Sequence, residues 1–355
     1  MQLIKLKVGI YNVLPGWAFK LAARSYHAVL ALLSRLSMRG RSRQALYFKI
    51  ARRRLSAADR DALAQSGYRD LVAWNDAFDH FEASSSNGRV DLAWVHKPVG
   101  GNFGDWLSPY LIHKTGNCAV SHQDLAAGRG ADHVVSLGSI ITYANGHSTV
   151  VGSGINSLKD SIDPAARFLM VRGHITREAL PSSIGKGGIL CCDPGFFVRN
   201  IYQPKGIAHE RRESLLIPHI NHWNLLASIE DENFQLLSAL ACRPDDLEKL
   251  IDRIAGAKEV ITSAMHIFVI CCSYGVPCAL IQPKAAPVPV PGDGIKYRDC
   301  MSPVLKEDFA PFQVDVRPHM PLRDEVGIKK YALDFDYIDK IFNDYKDIVQ
   351  SLRHL

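Results

Sequence analysis

The sequence predicts an α/β protein built from two Rossmann-like lobes, with a basic helical N-terminal extension. Three observations lead there. Residues 1–85 carry apolar residues at helical spacing and few β-branched runs, which reads as helix. Residues 86–205 and 206–300 then form two successive series in which short apolar runs alternate with helix-length segments, the pattern of βαβ units and parallel sheets. The length of 355 residues exceeds one ordinary domain, and with 47% hydrophobic and 22% charged residues the chain buries sizeable cores and is not disordered. Residues 301–355 read as a C-terminal helical tail.

The extension is set apart by charge. Residues 1–54 contain twelve Lys or Arg and no acid, so within a net charge of +6 the remaining 301 residues sum to −6. The apolar stretch 10–33 is interrupted by Lys20 and Arg24, which argues against a transmembrane span. No small-x-small cleavage site follows it, which argues against a signal peptide. Interleaved Trp17, Phe19 and Tyr26 suit a lipid interface better than nucleic acid, so the partner expected of residues 1–54 is an anionic membrane surface, with a helix packed on the body as the plain alternative. A helix start at Ser56 with Asp59 in its first turn follows, and Ala83-Ser84-Ser85-Ser86-Asn87-Gly88 is a loop that closes the extension.

Strands are expected over 90–95, 133–137, 149–151, 168–171 and 188–192, with helices over 105–114 and from Thr176. The second series offers strands over 214–218, 260–262 and 278–281, and helices over 244–255 and 264–274. A proline-rich loop follows at 283–291, and a closing helix over 331–352. The eight cysteines form no C-x-x-C pair, and Cys191-Cys192 and Cys271-Cys272 lie inside apolar runs, so they read as small core residues in a reducing cytoplasmic compartment.

Three stretches carry candidate chemistry. Gly100-Gly101-Asn102-Phe103-Gly104-Asp105 joins a strand to a helix: glycines permit close backbone approach, and free helix N–H groups suit an anion. Asp105 there is either a cap or a group that holds or deprotonates a hydroxyl. Val171-Arg172-Gly173-His174-Ile175-Thr176-Arg177-Glu178 has the same layout, with Arg172 and Arg177 as candidate anion forks and an Arg177–Glu178 ion pair as the plainer reading. Ile261-Thr262-Ser263-Ala264-Met265-His266 places His266 in the first turn of an apolar helix at the C-terminal edge of a sheet, where open α/β folds bind ligands. His219 follows a strand in the same way. Lys296 and Arg298 follow the proline-rich loop, and either reaches the cleft or is a surface charge.

Taken together and in order, these stretches resemble the polysaccharide pyruvyl transferase family. Asn102-Phe103-Gly104-Asp105-Trp106-Leu107 with Pro109 looks like its opening motif. Val150-Val151-Gly152-Ser153-Gly154-Ile155 is similar to its Gly-Ser-Gly turn, and Val171-Arg172-Gly173 to its Arg-Gly block. Asp193-Pro194-Gly195, Pro218-His219, the Ser263-x-x-His266 element and Gly275-Val276-Pro277 complete the series. The resemblance covers residues 90–300. It departs at Ile267, where the family commonly has glycine.

The resemblance implies a GT-B-like two-lobed fold, phosphoenolpyruvate as donor substrate, no cofactor and no obligatory metal, and a ketal-linked pyruvate on a cell-surface glycan or its lipid-linked precursor. In that reading His266, Asp105 and Arg172 are catalytic. Asn102, Gly104, Arg177, His219, Ser263, Lys296 and Arg298 bind substrate. The expected location is cytoplasmic, peripheral on the inner face of the membrane. Arg172→Ala is then expected to lower turnover without unfolding the protein. Two other readings compete: a glycosyltransferase with a nucleotide-sugar donor, and a non-catalytic scaffold in polysaccharide assembly.

Overall fold

The structure is a computed structural model. It describes residues 60–354 except 62–63, 66–68, 84, 86, 126–129, 206–212, 230 and 285. The basic segment 1–54 and the helix start at Ser56 therefore lie outside the described residues. The chain divides into two units, Met1–Asn75 and Asp76–Leu355. Helix α1 (Arg69–Glu82) runs from the first into the second, and everything below concerns the second.

Two parallel sheets form the second unit. The first contains β1 (Arg89–Ala93), β2 (Ala119–Gln123), β3 (His133–Val135), β4 (Ser148–Val151), β5 (Arg167–Val171) and β6 (Leu190–Cys191), in the order β2-β1-β3-β4-β5-β6. The second contains β7 (Ser214–Ile217), β8 (Gln235–Leu236), β9 (Glu259–Thr262), β10 (Cys278–Pro283) and β11 (Phe312–Val314), in the order β11-β10-β9-β7-β8. In both, the second strand lies on one side of the first and the third strand on the other. The connections leaving β1 and β3, and those leaving β7 and β9, therefore diverge and open a crevice at the strands' C-terminal ends.

The cores follow from this layering. Val135, Val150 and Val171, in strands covered on both faces, pack with Ile155, Leu180 and Ile189 in the first lobe. Leu216, Ile261, Ile281 and Val314 pack with Phe234 and Leu322 in the second. All eight cysteines are buried and none is in a disulfide, consistent with core packing.

Three helices position the site. Helix α2 (Phe103–Gly116) follows β1, and its first turn is held by an aromatic cluster in which Phe78 and Trp94 meet the Trp106 ring edge-on at 4.9 and 5.7 Å. Helix α7 (Met265–Ser273) follows β9 and is mostly apolar, in keeping with the burial of residues 267–273. Ile267, the departure from the usual glycine, is 1% exposed and belongs to this core. Helix α8 (Ile295–Met301) follows β10 in sequence.

The tail differs from expectation. Residues 301–355 were expected to be helical, yet β11 lies within them and extends the second sheet beside β10. The segment 295–301, expected to belong to the second lobe, packs instead on helix α3 (His174–Ala179) of the first. The chain crosses back because Asp299 of α8 is the buried acceptor that completes Arg172, Thr176 and the close approach at Gly173. The closing helix (Phe335–Ser351) starts where Asp334 accepts the Tyr337 N–H, and it packs on α2. Among the described residues, no helix is long and apolar enough to cross a membrane.

Candidate active site

The C-terminal ends of the two sheets meet at the start of α2 and α7. Asn102 pairs with Leu240 of the second lobe through an isolated antiparallel bridge, and the Phe103 N–H donates to the Ala239 carbonyl. One turn on, the His266 ring lies directly against Gly104. A Cβ at residue 104 would sit 2.3 Å from His266 Nδ1, so only glycine admits the imidazole here. Helix α7 begins without a side-chain cap, leaving the N–H groups of its first turn as unclaimed donors beside His266.

Asp105 stands in the first turn of α2, half-buried, and accepts from Asn102 Nδ2 at 2.9 Å. Burial pushes its carboxyl up to about 6, against the Asn102 hydrogen bond and the charges of His266 and Lys296, which act the other way. A carboxylate with that value exchanges protons near neutral pH.

Lys296 reaches this cluster from the first turn of α8. It is 8% exposed, and its Nζ donates to the Pro291 carbonyl at 3.0 Å. Burial and the nearby Arg172 charge push it down to about 8, with Asp105 opposing. The proline-rich loop is thus the strap that delivers Lys296. Its end is fixed to the first lobe by Ser157 Oγ donating to Asp293 Oδ2 at 2.7 Å, and its middle to the second by Asn221 Nδ2 donating to the Pro289 carbonyl at 3.3 Å.

His219 follows β7 at the second lobe's switch point. Its backbone N–H donates to Ser263 Oγ at 2.9 Å, and its Nδ1 accepts from the Asn221 N–H at 3.1 Å. Since Nδ1 accepts, the ring proton sits on Nε2, which is left as a donor. Burial, then the charges of Lys296, His222 and His266, push its pKa down to about 3, so His219 is neutral throughout the physiological range. Ser263, 1% exposed, serves as the backbone anchor of His219.

Arg172 occupies a different place from the one expected. It is fully buried, with Nε donating to Asp299 Oδ2 at 2.9 Å, one terminal nitrogen to Ser139 Oγ at 2.6 Å and the other to the Ile155 carbonyl. Asp299 in turn accepts from the Thr176 N–H and Oγ1, both at 2.7 Å. Every nitrogen of the fork is therefore committed within the protein, and Arg172 contributes to the site as buried positive charge beneath Lys296. A Cβ at Gly173 would lie 1.8 Å from the Asp299 carbonyl oxygen, so the strand-end glycine serves this pairing.

Arg177 is half-buried on α3, 3.7 Å from Glu178, and Arg298 is exposed on α8. Neither is among the groups whose charge acts on Asp105, Lys296 or His219. Conversely, the structure adds groups that the sequence reading left out of the site. Asp193 lies 3.8 Å from His266, Asp299 anchors Arg172, and His222 is 3% exposed with its ring 5.8 Å from that of His219. The Asp193-Pro194 turn directly after a strand was the available signal for the first. Nothing local marks Asp299.

The site thus combines a titrating carboxyl, a buried ammonium, two histidines and an uncapped helix N-terminus, drawn from both sheets. A family model described as polysaccharide pyruvyl transferase matches residues 59–284, more than half of the chain. The chain belongs to the polysaccharide pyruvyl transferase family. No curated protein matches it significantly. The family match takes in Asp105, Asp193, His219 and His266 but ends before Lys296 and Asp299, so the candidate site of this pyruvyl transferase family member includes residues beyond the matched segment.

Proposed function

We propose that this protein transfers a pyruvyl group from phosphoenolpyruvate to two hydroxyls of one sugar in a cell-surface glycan or its lipid-linked precursor, with a GT-B-like division of labour between the lobes. The observation that carries this is the placement of Asp105 against His266 and Lys296. A group able to exchange protons near neutrality stands beside cations suited to a carboxylate and a phosphate.

In this reading Lys296, the His219 Nε2–H and the first-turn N–H groups of α7 hold the donor's two anionic groups. His266 delivers a proton to the C3 methylene, generating cationic character at C2. The first sugar hydroxyl bonds to C2 and gives its proton to Asp105. The second hydroxyl then forms the second C2–O bond as the C2–O bond to phosphate breaks. Asp105 returns its proton to the departing phosphate, and His266 regains one from the second hydroxyl. Two C–O bonds form, one breaks, and both proton carriers end as they began. Residues 1–54 would hold the enzyme at an anionic membrane surface close to a lipid-linked acceptor.

The test is to incubate the full chain with phosphoenolpyruvate and a panel of glycosides bearing free hydroxyl pairs. Products are read by mass spectrometry and phosphate by colorimetry. The reading predicts a pyruvyl-ketal product with one inorganic phosphate per ketal. Release of nucleotide from a nucleotide sugar, with no phosphate from phosphoenolpyruvate, would replace it with glycosyl transfer.

A further inference from the structure

His266 has two ring nitrogens in different surroundings. Nδ1 lies on the Gly104 side, at the start of α2. Nε2 is buried without a hydrogen-bond partner, and Asp193 Oδ2 lies 3.8 Å from it. An unpartnered ring nitrogen in a protein interior is costly, so its neighbour is informative. Asp193 is fully buried and built to stay where it is. Its Oδ1 accepts the Gly195 N–H at 2.8 Å, capping the turn 194–197, and Cys300 Sγ–H approaches Oδ2 at 3.6 Å.

We infer that Asp193 is the positioning residue of His266, receiving its Nε2–H so that Nδ1 is the nitrogen presented toward the start of α2 and the reacting groups. The inference rests on the functional reading above for what His266 then does. The pairing itself stands on the geometry.

The electrostatic setting agrees. Burial alone would raise the Asp193 carboxyl, but its interaction with His266, the Gly195 N–H and the charge of Arg172 together hold it below the usual carboxylate range. Asp193 therefore favours its anionic form despite its burial. The titratable and charged groups around the pair are Cys192 on its own segment, Arg172 from the end of β5, Asp299 and Cys300 from α8, Asp105 from α2 and His219 from the end of β7. The Cys192 and Cys300 thiols are raised well above their ordinary value by burial and so remain neutral neighbours. A buried carboxylate behind an imidazole fixes which nitrogen carries the proton and steadies the doubly protonated ring. At 3.8 Å the two groups are at ion-pair distance, and closure to hydrogen-bond length needs a shift of about 1 Å.

The experiment is side-chain nitrogen NMR on the full chain labelled at histidine, with the His266 signals assigned by their loss in His266→Gln. The wild type is expected to carry its proton on Nε2. Asp193→Asn keeps the Gly195 cap but removes the charge, and should redistribute the proton between the two nitrogens. Asp193→Glu should retain the wild-type pattern in part. A wild-type ring protonated on Nδ1 with a bare Nε2 would overturn the pairing without any variant, as would an unchanged pattern in Asp193→Asn. Phosphoenolpyruvate binding is followed on the same samples by thermal melting. Failure of every form to bind it would refute the donor and leave the pairing standing, while a roughly tenfold weaker affinity in Asp193→Asn alone is the expected functional consequence.

Discussion

Asp299 accepts the Arg172 Nε at 2.9 Å across 127 residues of sequence, and both side chains are fully buried. This pair joins the end of β5 to a helix that follows the second lobe's sheet, and the same helix carries Lys296 three residues earlier. The Arg172–Asp299 pair therefore sets where Lys296 stands, which links the fold of the crossing segment to the chemistry of the site.

Arg172→Ala is accordingly expected to act on folding before it acts on turnover. Removing one partner of a buried ion pair strands the other charge and costs about 3–5 kcal/mol. Thermal melting of the variant should show a fall of the order of 10 °C. An unchanged melting temperature with turnover abolished would restore the direct catalytic role expected from the sequence.

Asp105→Asn should stabilise the protein at neutral pH while abolishing pyruvyl transfer. The folded carboxyl titrates at about 6, above its ordinary 3.8, so the folded state holds the proton more tightly than the unfolded chain. Stability therefore falls as pH rises through that interval, and the cost is fully present above pH 6. The asparagine variant escapes it, by on the order of 1–3 kcal/mol at pH 7.5, with the difference vanishing below pH 4. Melting curves at both pH values check this; a variant less stable than wild type at pH 7.5 would contradict it.

The same groups predict a bell-shaped dependence of kcat/KM on pH. Loss of the Asp105 proton near pH 6 opens the base on the acid side, and loss of the Lys296 charge near pH 8 closes the anion site on the alkaline side. Lys296→Arg should move the alkaline limb upward and leave the acid limb in place. A flat profile between pH 5 and 9 would remove both assignments.

Gly104→Ala places a methyl 2.3 Å from His266 Nδ1. Alanine is favoured over glycine in a helix by about 1 kcal/mol, so a gain is expected on propensity alone. The displaced imidazole should nonetheless lower kcat/KM about a hundredfold, as misplacement by about 1 Å does. Wild-type kinetics in this variant would exclude His266 from the reaction.

Much of this was legible before the structure. The apolar runs at β3, β4, β7, β9 and β10 are almost wholly buried and announce themselves. The strand β2 was missed because an edge strand needs little apolar character: only Ala119 and Val120 are buried, and Ser121, His122 and Gln123 follow. Likewise β8 and β11 are edges of two and three residues. In the candidate site, His219 and His266 were singled out because each closely follows a strand at a switch point, and Asp105 because it stands in the first turn of the helix after β1. Arg172 was singled out, but its burial was not legible, since its partner lies 127 residues away and no local pattern reveals Asp299. Arg177 and Arg298 were singled out for charge beside a motif, and such charge does not tell which way a side chain points.

The proposed donor, phosphoenolpyruvate, would be bound between the lobes with Lys296 as an essential cation. The direct measurement is the melting temperature of the full chain titrated with phosphoenolpyruvate and, separately, with nucleotide sugars, for wild type and Lys296→Ala. A ligand at about one hundred times its Kd stabilises by about 2.7 kcal/mol. The expected result is a dose-dependent rise with phosphoenolpyruvate in the wild type, no comparable rise in Lys296→Ala, and none with nucleotide sugars. A rise with a nucleotide sugar alone, or an equal phosphoenolpyruvate response in both proteins, would contradict it.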